Sequence, residues 1–145
     1  MVQIDYVVLA DAAVVAEGKQ YIHGGGWDTL HVASFPASHP SLAIAFRVRL
    51  PWQDTTKVHG LELDVVDVEG RSILPVPPGP PQGSINVGRS TPVLPGEDQV
   101  LPLVFNIVNL QLTHAGSHAV VLRIDGMEMA RAKFQIKHMP SQAVH

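Results

Sequence analysis

Alternation is the feature that most constrains this chain. In Leu42-Ala43-Ile44-Ala45-Phe46-Arg47-Val48-Arg49-Leu50 the even positions are large and apolar, and the odd ones are Ala or Arg. A period of two buries one face of an extended strand and would scatter the same side chains around a helix. Pro51 ends the run. His59, Leu61, Leu63 and Val65 repeat the pattern against Gly60, Glu62, Asp64 and Val66; Asp67-Val68-Glu69-Gly70 then supplies a turn whose glycine tolerates positive φ. Residues 71–74 read as a short return. His118-Ala119-Val120-Val121-Leu122-Arg123-Ile124 passes through Asp125-Gly126 into a second arm, where Ala130, Ala132, Phe134 and Ile136 share one face and Arg131, Lys133 and Gln135 the other. This is a β-hairpin turning at Asp-Gly.

Two segments depart from the simple rule. Across residues 100–112 the apolar set sits first on odd positions (Leu101, Leu103, Phe105, Ile107) and then on even ones (Val108, Leu110, Leu112). A bulge near Ile107-Val108, or a strand that changes sheets there, reconciles the halves. In the N-terminal third, residues 4–9, 19–23 and 29–35 read as strands, and residues 11–18 read as a bent strand or as a helical turn closed by Gly18. Pro75, Pro77, Pro78, Pro80 and Pro81 exclude an inner strand over residues 75–81 and predict an extended loop. With about eight to ten strands and almost no helical periodicity, the expected fold is all-β: a single antiparallel β-sandwich of immunoglobulin-like or similar Greek-key type. The domain spans residues 1–137, and residues 138–145 form a flexible tail.

Composition excludes several chemistries. Ten Lys plus Arg against thirteen Asp plus Glu leave a formal charge of −3, with no block of like charge to track phosphates, so nucleic acid is not an expected partner. Zero Cys removes disulfides, thiolate nucleophiles, cysteine zinc sites and iron–sulfur clusters. No apolar run is long enough to cross a bilayer, and Met1-Val2-Gln3-Ile4-Asp5-Tyr6 lacks the basic region of a secretory signal. The expectation is a cytoplasmic protein without membrane insertion. Charged residues make up 16% of the chain, against an ordinary share of about 25%. Val7, Leu9, Val66, Val104 and Val121 place further apolar groups on the second face of their strands. Part of that surface is expected to be covered by another copy or another protein.

No complete reactive set is present. His23-Gly24-Gly25-Gly26-Trp27 matches the oxyanion-hole glycines of some esterases, but the Gly-x-Ser-x-Gly elbow that must accompany them is missing. Gly24, Gly25 and Gly26 instead let the backbone bend or approach a neighbour closely, with Trp27 filling a sheet end. His114 and His118 have an i, i+4 spacing across a glycine turn rather than on a helix, His31 and His39 flank Phe35-Pro36, and His59 sits on the apolar phase of its strand as a hydrogen-bonded core imidazole. Asp64, Asp67 and Glu69, and Asp125 and Glu128, are explained as turn formers before calcium ligands. No catalytic, cofactor or metal residue is assigned. Trp27 and Trp52 are the candidate contact residues.

Asp11-Ala12-Ala13, Gly18-Lys19-x-Tyr21-Ile22-x-Gly24-Gly25-Gly26-Trp27, Arg49-x-Pro51-Trp52 and Ile124-Asp125-Gly126-x-Glu128 together resemble a family of short bacterial proteins known as a domain of unknown function. The likeness extends to about Ile136. It implies a compact all-β domain in a bacterial cytoplasm, and transfers no activity, cofactor or site. The expected function is a non-catalytic module that self-associates or docks on a larger assembly. The alternative is a small-molecule or carbohydrate binder using Trp27 and Trp52 as a shared platform; a hydrolase or histidine-metal enzyme ranks last.

Overall fold

A computed structural model of the chain describes residues 1–75, 82–85 and 94–139, with the backbone alone for 82–85. The strands among the described residues are β1 (Gln3–Ala16), β2 (Lys19–Gly25), β3 (Thr29–Val32), β4 (Ala37–Leu50), β5 (His59–Val66), β6 (Gln82–Ile85), β7 (Gln99–Leu112), β8 (Gly116–Ile124) and β9 (Met127–His138), with one 3-10 turn at Trp52–Asp54. They form two sheets, in the orders β2-β1-β4-β7 and β3-β9-β8-β5-β6. The all-β expectation holds. Its antiparallel part needs one correction: β3 runs parallel to β9, because the chain reaches that edge from the first sheet and not from a hairpin.

The core lies between the sheets. Leu42, Ile44, Phe46, Val48 and Leu50 of β4 are fully buried and share one cluster with Leu61, Leu63 and Val65 of β5, Val120 and Leu122 of β8, and Phe134 and Ile136 of β9. Each such side chain contributes about 1.5–3 kcal/mol by leaving water, so alternation in these strands decides the fold. The β8–β9 hairpin turns at Asp125 (φ 52) and Gly126 (φ 82), as a two-residue loop with both angles positive requires. Residues 71–74 return as a single bridge between Val66 and Ser72.

The phase switch in β7 is neither a slipped register nor a change of sheet. Ser41 pairs with Val108 and His39 with Leu110, at the same offset as the rest of the β4–β7 ladder. Between them Pro40 has no N–H, and Asn109 opposite takes a positive φ of 52. Both strands therefore reverse faces together: Ile107 and Leu110 each meet the core, while Val108 is exposed.

The N-terminal third resolves as the bent strand. β1 continues unbroken to Ala16 and turns at Glu17 (φ 53) and Gly18 (φ 71) into β2. A bulge between Ile4 and Tyr6 turns Val7 and Leu9 inward, so these two belong to the core and not to a second face. Val66 and Val121 do lie opposite the core, where they form a small buried cluster with Ala119. The far half of β1 pairs only with β2, and this hairpin arm folds back over the outer surface of its own sheet. Gln20 fastens it: Nε2 donates to Phe46 O (2.8 Å) and Leu103 O (2.9 Å), while Oε1 accepts from Tyr6 Oη at 2.6 Å. In a flat sheet Gln20 would stand two strands away from β4.

The last strand runs one residue past the expected domain boundary at 137. His138 closes β9 with Nε2 2.9 Å from Ala33 O, and Met139 N–H donates to Val32 O at 2.8 Å. Residues 140–145 lie outside the described residues, as does the proline run beyond Pro75.

Candidate functional site

The glycine run joins the arm to a groove. Gly24 (φ +62) lies against the Asp11 carboxylate, and a Cβ on Gly25 would stand 2.7 Å from Ile22 Cγ2, so the chain can double back here only without side chains. Gly26 N–H then donates to Leu9 O at 2.9 Å. Trp27 follows, edge-on to Phe134 (centroids 6.3 Å, 90°) and to His39 (6.1 Å, 71°). Its indole walls a groove of about 530 Å³ between β3 and the start of β4, with Asp11, Leu30, His31, His39 and Leu112 among the other lining residues. That is the size of a ligand site. Asp11 is its one Asp, Glu, Lys or Arg among the described residues. Trp27 Nε1 is buried with no hydrogen-bond partner among the described residues, a deficit that typically costs about 1–3 kcal/mol.

At the opposite end of β4, His59 has every polar atom engaged. Nδ1 lies 2.9 Å from Asp125 Oδ2 and Nε2 2.9 Å from Asp54 O. Both partners are acceptors, so both ring nitrogens donate and the imidazolium form fits the site. Burial opposes that charge, but the bonds to Asp125 and to the Asp54 carbonyl outweigh it and raise the pKa above 6.5. The same imidazole, with the Gly60 N–H, holds the Asp125 carboxyl below its usual range. A His–Asp pair suggests general-base chemistry, yet Nε2, the atom that would face a nucleophile, is occupied by Asp54 O. The pair ties the 3-10 turn, β5 and the β8–β9 turn together.

His118, His114 and Asp67 gather at the far end of β5, with His114 Nε2 3.9 Å from Asp67 Oδ2. His118 is buried beside His114 (rings 5.2 Å apart) and Phe134, with Nδ1 donating to Gly116 O at 3.0 Å. Burial lowers its pKa, and the charge of His114 adds to the effect. Asp67 Oδ1 accepts from the Glu69 and Arg71 amides, and Asp64 Oδ1 from Val65 N–H and Ser72 Oγ. These acids shape their own turns. Among the described residues no group of three or more His, Asp and Glu could hold a metal ion.

A family model described as a family of unknown function, DUF6941, matches residues 5–137. The chain belongs to the DUF6941 family. No curated protein matches it. Among solved structures, the Pseudomonas fluorescens alkylpurine DNA glycosylase AlkC, bound to DNA containing an abasic site analog, is similar over 94% of this chain and 30% of its own, at 13% identity and a TM-score of 0.39. The beta-glucosidase from Listeria innocua in complex with glucose is similar over 94% of this chain and 16% of its own, at 9% identity and a TM-score of 0.43. The DUF6941 chain thus spans less than a third of either. Among its described residues no helix is long and apolar enough to cross a membrane.

Of the residues singled out from the sequence, Gly24, Gly25, Gly26 and Trp27 meet at the groove. Trp52 does not join them. It opens the 3-10 turn whose Asp54 carbonyl caps His59, beyond the Leu50 end of β4, and it is not among the residues that line the groove. Sequence reasoning missed Asp11 and Gln20. Nothing local marks either, since their roles come from the arm folding over.

Proposed function

We propose that this DUF6941 chain is a non-catalytic interaction module that contacts a second copy or another protein through the hairpin arm. The observation that carries this reading is the outward surface of the arm. Val14 (54% exposed) pairs with Tyr21 (47% exposed) on the face turned away from Gln20, while Val15 and Ile22, on the Gln20 face, are also partly exposed. Clustered apolar groups of this kind mark contact sites, and tyrosine is enriched in them. Gln20 holds the arm in place, so docking there need not order a loose segment.

The strand order supports an immunoglobulin-like reading. β1 pairs with β4 in one sheet, β3 runs parallel to the last strand in the other, and β5, β8 and β9 lie side by side. The absence of cysteine fits a reducing, cytoplasmic setting. The platform alternative is weakened by the separation of Trp27 from Trp52, which leaves the groove as its one support.

The test is native mass by light scattering, together with recovery of attached proteins from the source cell. The wild type should run as an oligomer or with a partner. Val14→Lys with Tyr21→Lys should run as a free monomer with an unchanged circular dichroism spectrum. A wild type that is strictly monomeric at tens of micromolar and brings no partner with it sinks the proposal.

A further inference from the structure

We infer that the Trp27 groove takes an extended peptide from a partner protein, added as a strand to the open edge of β3, with a basic side chain against Asp11. This is a second contact surface and does not depend on the arm.

The edge itself argues for a strand. Asp28 O accepts from Gln135 N–H at 2.7 Å and Val32 O from Met139 N–H at 2.8 Å. In a parallel pair main-chain direction alternates, so Thr29 and His31 turn their N–H and C=O groups away from β9. Neither has a main-chain partner on that side among the described residues. Two amide units about 6.6 Å apart are the repeat that another strand matches. The opposite wall cannot close the slot by pairing with β3, because it carries Pro40, which lacks an N–H, at the bend of β4.

Two further groups specify the occupant. The Nε1 of Trp27 is buried behind the groove wall with no acceptor among the described residues, and an extended peptide brings a carbonyl every residue, one of which meets it when the indole turns toward the slot. The Asp11 carboxylate, the one formal charge on the walls, makes no ion pair among the described residues. Leu30, Val32 and Leu112 make the remaining lining largely apolar. A mostly apolar segment with a lysine or arginine at the Asp11 end satisfies all of these at once.

The experiment uses the full chain labelled with nitrogen-15 and a blocked hexapeptide, Lys-Val-Thr-Val-Thr-Val, as probe. The Trp27 indole signal and the Thr29 and His31 amides should shift together on titration. A twin with Glu in place of the lysine should bind about two- to fivefold more weakly, and Asp11→Asn should erase that difference. A twin N-methylated at alternate residues should lose about tenfold. His31→Pro removes an open-edge N–H and spares the bonds to β9, so it should weaken the probe without altering circular dichroism. The inference falls if no shift appears up to the solubility limit, or if the N-methylated twin binds as well as the parent. It also falls if N-methylacetamide gives the same shifts at the same concentration, the mark of a small-molecule site. Indole shifts produced by dilution alone would assign the groove to a second copy and overturn it too.

Discussion

At the Leu50 end of β4, His59 is held by a carboxylate and a carbonyl, and both of its nitrogens have acceptors. At the Ala37 end, the Trp27 indole N–H is buried with none, beside a strand edge whose main-chain groups point into a groove. Both ends bury a ring, and among the described residues only the imidazole has its polar atoms met from within the chain, although Gln99 Oε1, opposite Leu50, is also buried without a partner. A folded chain has little reason to leave a donor unmet where water is excluded unless something else meets it. The histidine is architecture, and the groove beside the indole is the site at which we propose that a peptide docks. The buried histidines carry the contrast further. His59 is 4% exposed and His118 3%, yet their pKa values move in opposite directions, because burial prevails at His118, with the His114 charge adding to it, while at His59 the bonds to Asp125 and the Asp54 carbonyl outweigh burial.

The largest expected effect breaks the fully met histidine. His59→Ala removes a packed ring and leaves Asp54 O and Asp125 without their donor, and should cost about 2–3 kcal/mol in urea unfolding. Asp125 is half-exposed and can rehydrate, which keeps the loss below that of a fully buried ion pair. His118→Ala should cost less, since one carbonyl loses its donor and no ion pair is broken. Equal losses at the two sites would remove the contrast.

The next effect is in pH dependence. The raised pKa of His59 makes its contribution complete below 6.5 and lost as pH rises through the folded value; the lowered pKa of His118 makes its contribution present above 6.5 and lost as pH falls through the folded value. The groups around His59 are Asp125 and both the carbonyl and the carboxylate of Asp54, and those around His118 are His114, Asp67 and the Gly116 carbonyl. Unfolding free energy measured from pH 5 to 9 should therefore fall on both sides of neutrality in the wild type. In His59→Ala the alkaline fall should flatten, and in His118→Ala the acid one should. A variant that leaves its own limb unchanged refutes the assignment for that histidine.

The sequence exposed the histidine end better than the groove. Alternation in β4, β5, β8 and β9, and the Asp125-Gly126 turn, were readable because each depends on neighbours within a few residues. Even the core role of His59 follows from its phase, although its partner Asp125 lies 66 residues away and no local pattern joins them. The far half of β1 was ambiguous because Ala12, Ala13, Val14, Val15 and Ala16 present no polar face to fix a period. The β7 phase switch was visible at residues 107–108, but its cause was not. It depends on Pro40, which meets Asn109 only in the folded ladder. The groove was illegible for the same reason: its walls come from β1, β3, β4 and β7, and no window of sequence contains them together.

The smallest expected effect is the most discriminating. Trp27→Phe keeps an aromatic ring against Phe134 and His39 but deletes the unmet N–H. Losing the larger ring costs packing, and losing an unsatisfied donor returns about 1–3 kcal/mol, so the net change in stability should stay within about 1 kcal/mol of zero. If the substitution instead costs about 3 kcal/mol, in the range of a fully packed tryptophan loss, the N–H has a partner in solution, and the indole is as fully met as the imidazole. If stability holds while the hexapeptide weakens, the donor is reserved for an acceptor that the chain does not carry.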